Sequence, residues 1–358
     1  MIRPREQAKY DAIVAGYLCV DLTPGFAPSR QPVPLGQLLQ PGRLVQVEGL
    51  SMAPGGAVAN TGLAMRRFGQ RVALAGMVGH DPLGDLLLRA MPGDAGSIRR
   101  SDRAGTGYGI VIAPPGSDRL FLEDPGCHAY FSAESIDPAL IAQSRLVHLG
   151  YPPLLDSLYA EDGRPLQRLM ARIQELGVTT SLDMTLPDPG SPAGQADWRG
   201  ILDRTLPHVD IFVPSIEELL FMLDPQAYAT LNARAGSGGL IDAIDRAAFD
   251  RLADRVLRLG VKVLLIKAGH RGAYLRTAGS PAQWIDPFPV DPDRMINACG
   301  AGDCAVAAFL AALLNGNPVE QAARYAMLAG RDNLYGIDAL SGLRDWNAMT
   351  RHLETGSA

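Results

Sequence analysis

Asn297-Ala298-Cys299-Gly300-Ala301-Gly302-Asp303 leads straight into Cys304-Ala305-Val306-Ala307-Ala308-Phe309-Leu310-Ala311-Ala312-Leu313-Leu314, eleven residues without a polar one. Alanine and leucine dominate this run, so it favours helix, and a helix that is apolar on every side belongs inside a protein. Gly300 and Gly302 carry no Cβ, so the chain can turn sharply and come close to a ligand. The first-turn N–H groups and the positive end of the helix dipole then face out of the Gly-Ala-Gly turn as an anion site. Asp303 stands at its mouth. It either caps a core helix or does proton-transfer work beside a bound anion, and the turn alone leaves the two readings level.

Composition narrows the classes. The chain has 358 residues, 47% hydrophobic and 20% charged, with a formal net charge of −5. That is enough for a large α/β domain with an appendage, and it lacks the basic stripe of a nucleic-acid partner. No apolar run approaches the roughly 20 residues of a membrane span, and Met1-Ile2-Arg3-Pro4-Arg5-Glu6 lacks a secretory h-region. Cys19, Cys127, Cys299 and Cys304 are too scattered for a zinc knuckle or disulfide framework. They are expected as reduced thiols in a cytoplasmic protein with no nucleic-acid or membrane partner.

Working outward, apolar strands and helices alternate. Strands are expected at 12–18, 71–78, 146–149, 178–183, 209–214, 261–267 and 273–276. Helices are expected from Gly55-Gly56 to Phe68, from Asp81-Pro82, near 164–176, near 197–206 and from Ser215. Such alternation implies a parallel sheet covered on both faces. A strand near Leu44-Val45-Gln46-Val47 and a hairpin over 105–123, turning at Pro114-Pro115-Gly116, break the pattern. They are assigned to a small β appendage. The polar, Gly-rich stretch 225–245 reads as an inserted surface loop.

Other motifs are weaker one by one. Gly55-Gly56-Ala57-Val58-Ala59-Asn60 joins a permissive turn to an amide with donors and an acceptor, although a plain helix start also explains it. Asp81 in Gly76-Met77-Val78-Gly79-His80-Asp81-Pro82-Leu83-Gly84 reads as a cap. Ser215-Ile216-Glu217-Glu218 fits a capping box, yet Glu218 could also hold a metal-bound water. Lys267-Ala268-Gly269-His270-Arg271-Gly272 suits either a nucleotide lying across the turn or a simple strand connection. With only Lys9, Lys262 and Lys267 in the chain, no Walker lysine exists and a P-loop is excluded. Lys267 has no H-R-D or D-F-G companion. Gly105-Thr106-Gly107-Tyr108-Gly109 precedes a strand, where a dinucleotide turn should precede a helix.

In this order, Gly55-Gly56-x-x-x-Asn60, Gly76-x-Val78-Gly79-x-Asp81-x-x-Gly84, Glu218 after Pro214, Gly269-x-x-Gly272 and Gly300-Ala301-Gly302-Asp303 resemble the ribokinase-like (PfkB) kinases of carbohydrates and nucleosides. The resemblance spans residues 11–345. It implies a three-layer α/β/α sandwich with a β-sheet lid, here about 33–51 and 105–132, and phosphoryl transfer from ATP to an alcohol. Asp303 would be the base and the Gly300, Ala301, Gly302 and Asp303 amides the anion hole. Asp21, Gly55, Gly56 and Asn60 would hold the sugar, and Ser215, Lys267, Gly269 and Gly272 the nucleotide. Glu218 would order water around Mg²⁺.

The chain departs from the family at three places. Asn297-Ala298 replaces the common Asp-Thr, which removes a carboxylate ligand and implies little use of a monovalent cation. Ser215 replaces the Asn of Asn-x-x-Glu, and Lys267 the Thr of Thr-x-Gly. A sugar kinase is therefore expected, with lid-to-lid homodimers common in the family. The alternatives are a nucleoside kinase and, from another class, a catalytically silent sugar-binding or regulatory protein.

Overall fold

The computed structural model describes residues 2–3, 7–27, 34–91, 97–114, 119–235, 239–296 and 298–355. Asn297, residues 115–118, which include most of the expected Pro114-Pro115-Gly116 turn, and Gly236-Ser237-Gly238 lie outside them.

The strands are β1 Tyr10–Gly16, β2 Cys19–Pro24, β3 Leu50–Gly55, β4 Val72–Ala75, β5 Met77–Gly79, β6 Arg99–Ser101 and β7 Tyr108–Ile112. They continue as β8 Leu120–Asp124, β9 Ser144–Gly150, β10 Thr179–Asp183, β11 Ile211–Phe212, β12 Val263–Lys267, β13 Ala273–Thr277 and β14 Gln283–Ile285. Eight of them form one sheet in the order β14-β13-β12-β11-β10-β9-β1-β4. From β12 to β4 every pairing is parallel, and β13 and β14 close the far edge antiparallel. Alternate side chains of β1 enter different cores: Ile13 and Ala15 pack with helices Arg164–Glu175 and Arg246–Arg258, Ala12 and Val14 with Gly56–Arg67 and Ala301–Leu314. A strand buried on both faces must be apolar throughout, as the 12–18 run is. The result is the three-layer α/β/α sandwich.

Helix Ala301–Leu314 is the most enclosed element. Every residue from Asp303 to Leu314 is buried. It packs against helices Val319–Asn333 and Gly56–Arg67, which explains its all-round apolar sequence.

A second sheet, β3-β2-β7-β8, stands off the sandwich as the β appendage. β7 and β8 form the antiparallel hairpin expected over 105–123. Two expectations need correction around it. The stretch Leu44-Val45-Gln46-Val47 is irregular, with Leu44 87% exposed. The edge of β2 is taken instead by β3, through the register Cys19↔Gly55 to Pro24↔Leu50, so 44–47 has no strand to join. Residues 126–132 are not part of the lid's surface. Gly126–Tyr130 is a 3₁₀ turn in which Cys127 and His128 are fully enclosed while Tyr130 stays exposed. His128 Nε2 accepts the backbone N–H groups of Leu18 at 3.2 Å and Met77 at 3.1 Å, and so ties the base of the lid to the sandwich.

Two further segments differ. The 71–78 strand is two, broken at Gly76: β4 joins the main sheet and β5 pairs with β6. The 225–245 stretch carries helices Pro225–Arg234 and Leu240–Ala243 rather than a loop. Asp224 caps the first by accepting from Ala227 N–H, with Pro225 at its first position; this is a complete start signal. The helix buries none of its residues, so its composition reads as loop although its ends read as helix.

Candidate active site

Gly300 has a left-handed φ of 76°, and a Cβ there would lie 2.6 Å from Ala339 Cβ. Only glycine turns the chain here, and the turn aims the first-turn amides of helix Ala301–Leu314 outward. Those amides have no partner within the helix. The Ala301 N–H bonds back to the Ala298 carbonyl at a long 3.4 Å, which leaves Gly302 and Asp303 as the outward donors of the turn.

Asp303 is 3% exposed. Its Oδ2 accepts from Asn60 Nδ2 at 3.0 Å, and its Oδ1 from Tyr151 OH at 2.7 Å and Thr61 Oγ1 at 3.3 Å. Three donors on two other elements thus fix the carboxylate's direction. An N-cap would accept from its own helix, so the cap reading of Asp303 fails: Gly300 is the N-cap residue. Asn60 and Thr61 face Asp303 because helix Gly56–Arg67 starts at Gly56. With φ 78°, Gly56 would bring a Cβ within 2.7 Å of the Tyr17 carbonyl. Tyr151 was not anticipated. It follows β9, its φ of 65° is left-handed, and such backbone in a tyrosine is strained. Burial and the nearby Asp303 and Asp183 charges hold its phenol well above its ordinary pKa, so it stays a donor.

Asp303 borders a cavity of about 800 Å³ that also reaches Asp21, Gly56, Asn60, Tyr151 and Gly300. Gly55 lies just behind, where a Cβ would overlap the Asp21 carboxylate at 2.4 Å. The lid contributes Glu123 and Arg119 to the same cavity. Burial pushes Asp21 up to about 6, and the Asp303 charge adds to it while the Cys19 thiol, 3.4 Å from Oδ1, opposes. Desolvation of its carboxyl inside the cavity pushes Glu123 up to about 7, although the residue as a whole stays exposed on β8, against a hydrogen bond from Tyr17 OH, and Asp21 and Asp124 raise it further. The rest of the lining is mixed and proline-rich, with Leu154, Tyr159, Leu186, Pro187 and Pro192 beside Asp156, Asp188 and Ser191.

The remaining expected residues group around β12. Ser215 and Glu218 form a reciprocal capping box for helix Ile216–Leu223: Ser215 N–H donates to Glu218 Oε2 at 2.7 Å, and Glu218 N–H to Ser215 Oγ at 3.2 Å. Gly269–Arg271 is a 3₁₀ turn, and Gly272 lies so close to the Ile285 carbonyl that a Cβ would approach to 2.1 Å. Arg271 donates to the Ile241 and Ile244 carbonyls, which pins this turn to the 240–244 segment. Lys267 points elsewhere. Its ammonium meets both oxygens of Asp183, at 2.7 and 2.8 Å. Asp183 ends β10 and was not singled out by any motif. Among the described residues, no group of three or more His, Cys, Asp and Glu side chains is arranged to hold a metal directly.

A helix start with outward first-turn amides, an oriented carboxylate and a cavity lined by acids and an amide under a β lid sit together. The sequence model of the pfkB family of carbohydrate kinases matches residues 30–331. The chain belongs to that family. It is an enzyme of the phosphotransferase class. Among curated pfkB relatives, an uncharacterized sugar kinase of Archaeoglobus fulgidus is 24% identical over 285 residues, covering 78% of this chain and 98% of that one. A fructokinase of Klebsiella pneumoniae is 27% identical, covering 76% and 78%. Among solved pfkB-like folds, Arabidopsis thaliana ribokinase complexed with ribose and ATP superposes with a TM-score of 0.72 at 18% identity, covering 96% of this chain and 99% of that one. Xylella fastidiosa fructokinase with bound ATP gives 0.73 at 18% identity, covering 97% and 100%.

Proposed function

We propose that the enzyme transfers the γ-phosphoryl group of ATP to a hydroxyl of a sugar or sugar derivative. The observation that carries this reading is the placement of Asp303: its carboxylate is held by Asn60, Thr61 and Tyr151 at the border of the cavity, in the first turn of the anion-binding helix. Asp21, Gly56 and Asn60 hold acceptor hydroxyls, for which buried carboxylates and an amide are suited acceptors and donors. Asp303 takes the proton of the reacting hydroxyl as its oxygen forms a bond to the γ-phosphorus. The bond from that phosphorus to the β–γ bridging oxygen breaks, and ADP leaves with the electron pair. The Gly302 and Asp303 amides and the helix dipole offset charge on the transferring group. Mg²⁺, when bound, neutralises phosphate charge. Glu218 has one oxygen committed to Ser215 N–H, and its remaining capacity fits a bond to metal-bound water. The Ser215 side chain is occupied by its cap, so its nucleotide contact is confined to the backbone.

The apolar side chains of this lining favour a second reading within the same chemistry. Leu154, Tyr159 and Leu186 offer a face for a second ring, as in a nucleoside or glycoside acceptor. ADP formation with MgATP, measured over a panel of free sugars, glycosides and nucleosides, tests both. Turnover with free sugars above nucleosides supports the first reading, and the reverse supports the second. Absence of turnover with every acceptor would leave the silent sugar-binding alternative standing.

A further inference from the structure

We infer that Lys267 is a catalytic residue whose ammonium contacts the transferring phosphoryl group, as a cation tethered beside the anion-binding turn; this rests on the kinase reading above. Its place in the sequence, one residue before the Ala268-Gly269 turn, suggested a nucleotide contact. The structure turns the side chain the other way. The ammonium lies between the Asp183 carboxylate and the first turn of helix Ala301–Leu314, where a side chain at position 302 would begin only 3.8 Å from Nζ. A Cβ at position 302 would stand in ordinary contact with the lysine side chain, so Gly302 adds no side chain between the outward amides and the ammonium.

The charges around this space show why a cation is needed. Asp183 from β10, Glu218 at the start of helix Ile216–Leu223 and Asp303 all act on Lys267, and the fourth neighbour, His148 from β9, is fully buried. Burial lowers the proton affinity of Lys267, but the three carboxylates outweigh it and raise it above the ordinary lysine value. Burial, with the Lys267 charge, holds His148 down at about 3, so His148 supplies no positive charge. Three carboxylates and one ammonium make a net −2 surrounding for a phosphoryl group that is itself anionic. Without the ammonium it would be −3, more than a bound Mg²⁺ and the amides of one helix turn, equivalent to about half a charge, would offset together. Lys267 is 14% exposed and Asp183 1%. A lysine presents three donors from a point charge, so it can keep Asp183 on one side and bond an incoming oxygen on the other.

The plain structural role for Lys267 is to neutralise buried Asp183. Lys267→Met removes the charge at similar length. Affinities for ADP alone, for the best acceptor alone, and for ADP with aluminium fluoride plus acceptor, a mimic of the transferring group, are measured by calorimetry in magnesium buffer. The expected result is at least a 100-fold loss for the aluminium fluoride complex, with ADP and acceptor affinities within threefold of wild type and kcat reduced by about the same factor as the complex. Equal losses for all three ligands, or an unchanged aluminium fluoride affinity, would overturn the proposal. If the single variant does not fold, Lys267→Met/Asp183→Asn removes both halves of the ion pair, which proteins often tolerate. It should show a smaller but still selective loss, because the contact is gone while the surrounding returns to −2, and wild-type affinity for the complex in that variant would also overturn it. Wild-type enzyme that binds ADP no more tightly with aluminium fluoride and acceptor would contradict the kinase reading itself, before any variant is compared.

Discussion

At the scale of single residues, the chemistry depends on how one carboxylate is held. Tyr151 donates to Asp303 Oδ1 at 2.7 Å from strained backbone, and a hydrogen bond to a charged group contributes about 1.5–3 kcal/mol. Tyr151→Phe should therefore lower kcat roughly tenfold or more while the acceptor's dissociation constant changes little. An unchanged kcat would show that Asn60 and Thr61 suffice to aim Asp303. The acids of the cavity give a second prediction. Asp21 and Glu123 have folded pKa values of about 6 and about 7, above their ordinary 3.8 and 4.5. The folded state then binds more protons than the unfolded chain across that window, so their contribution falls as pH rises through it. Relative to Asp21→Asn/Glu123→Gln, the ligand-free wild type should lose about 2 °C or more in Tm between pH 5 and pH 8. Buried His128 and His148, lowered to about 3, act oppositely below pH 6.5 but are common to both proteins and cancel. A difference that grows in the wild type's favour with rising pH would contradict these assignments. Hydroxyl donors of a bound sugar favour the ionised acids, which gives the substrate the role of repaying that cost.

Among elements, legibility followed how completely local signals decided the structure. Helix Ala301–Leu314 and the central strands read correctly because burial on all sides demands uninterrupted apolar sequence. Asp81 reads as a cap because it accepts from Gly84 N–H and Thr106 N–H, the first of these within its own turn. The lid was legible as a departure from α/β alternation but not in its boundaries. Whether 44–47 or 50–55 pairs with β2 depends on a register between distant segments, and both stretches are apolar enough. The position of Gly126-Cys127-His128 was misleading for a related reason. Its polar ring serves two backbone N–H groups at Leu18 and Met77, a contact no local pattern encodes. The lid proposal is accordingly confined to β2, β3, β7 and β8. Amides of β7 and β8, reached through exposed β8, should exchange more slowly once acceptor and ATP analogue bind, whereas 126–130 should be slow in both states. Identical exchange of β7 and β8 with and without ligands would remove the lid from the mechanism; closure matters because it excludes water from the phosphoryl group.

Taken as a whole, the molecule places its chemistry where separate segments converge, and that part was only partly legible. Gly300-Ala301-Gly302-Asp303 pointed to an anion site from four consecutive residues. Tyr151, Thr61 and Asp183 gave no comparable signal, because each is ordinary in its own segment. They become functional candidates only when β9 and β10 and helix Gly56–Arg67 bring them to Asp303 and Lys267. The Lys267–Asp183 pair spans 84 residues of sequence, a contact that no local pattern around Lys267 encodes. No helix among the described residues is long and apolar enough to cross a membrane.

The central claim is that Asp303 removes the proton from the acceptor hydroxyl. Its direct test is the separate measurement of kcat and of the acceptor's dissociation constant in Asp303→Asn, which keeps the shape and removes the base. A positioned base contributes about 10²–10⁴ in rate. Asp303→Asn should have a kcat at least 100-fold below wild type with acceptor binding within a few-fold, and a kcat near that of wild type would contradict the role of Asp303 as base.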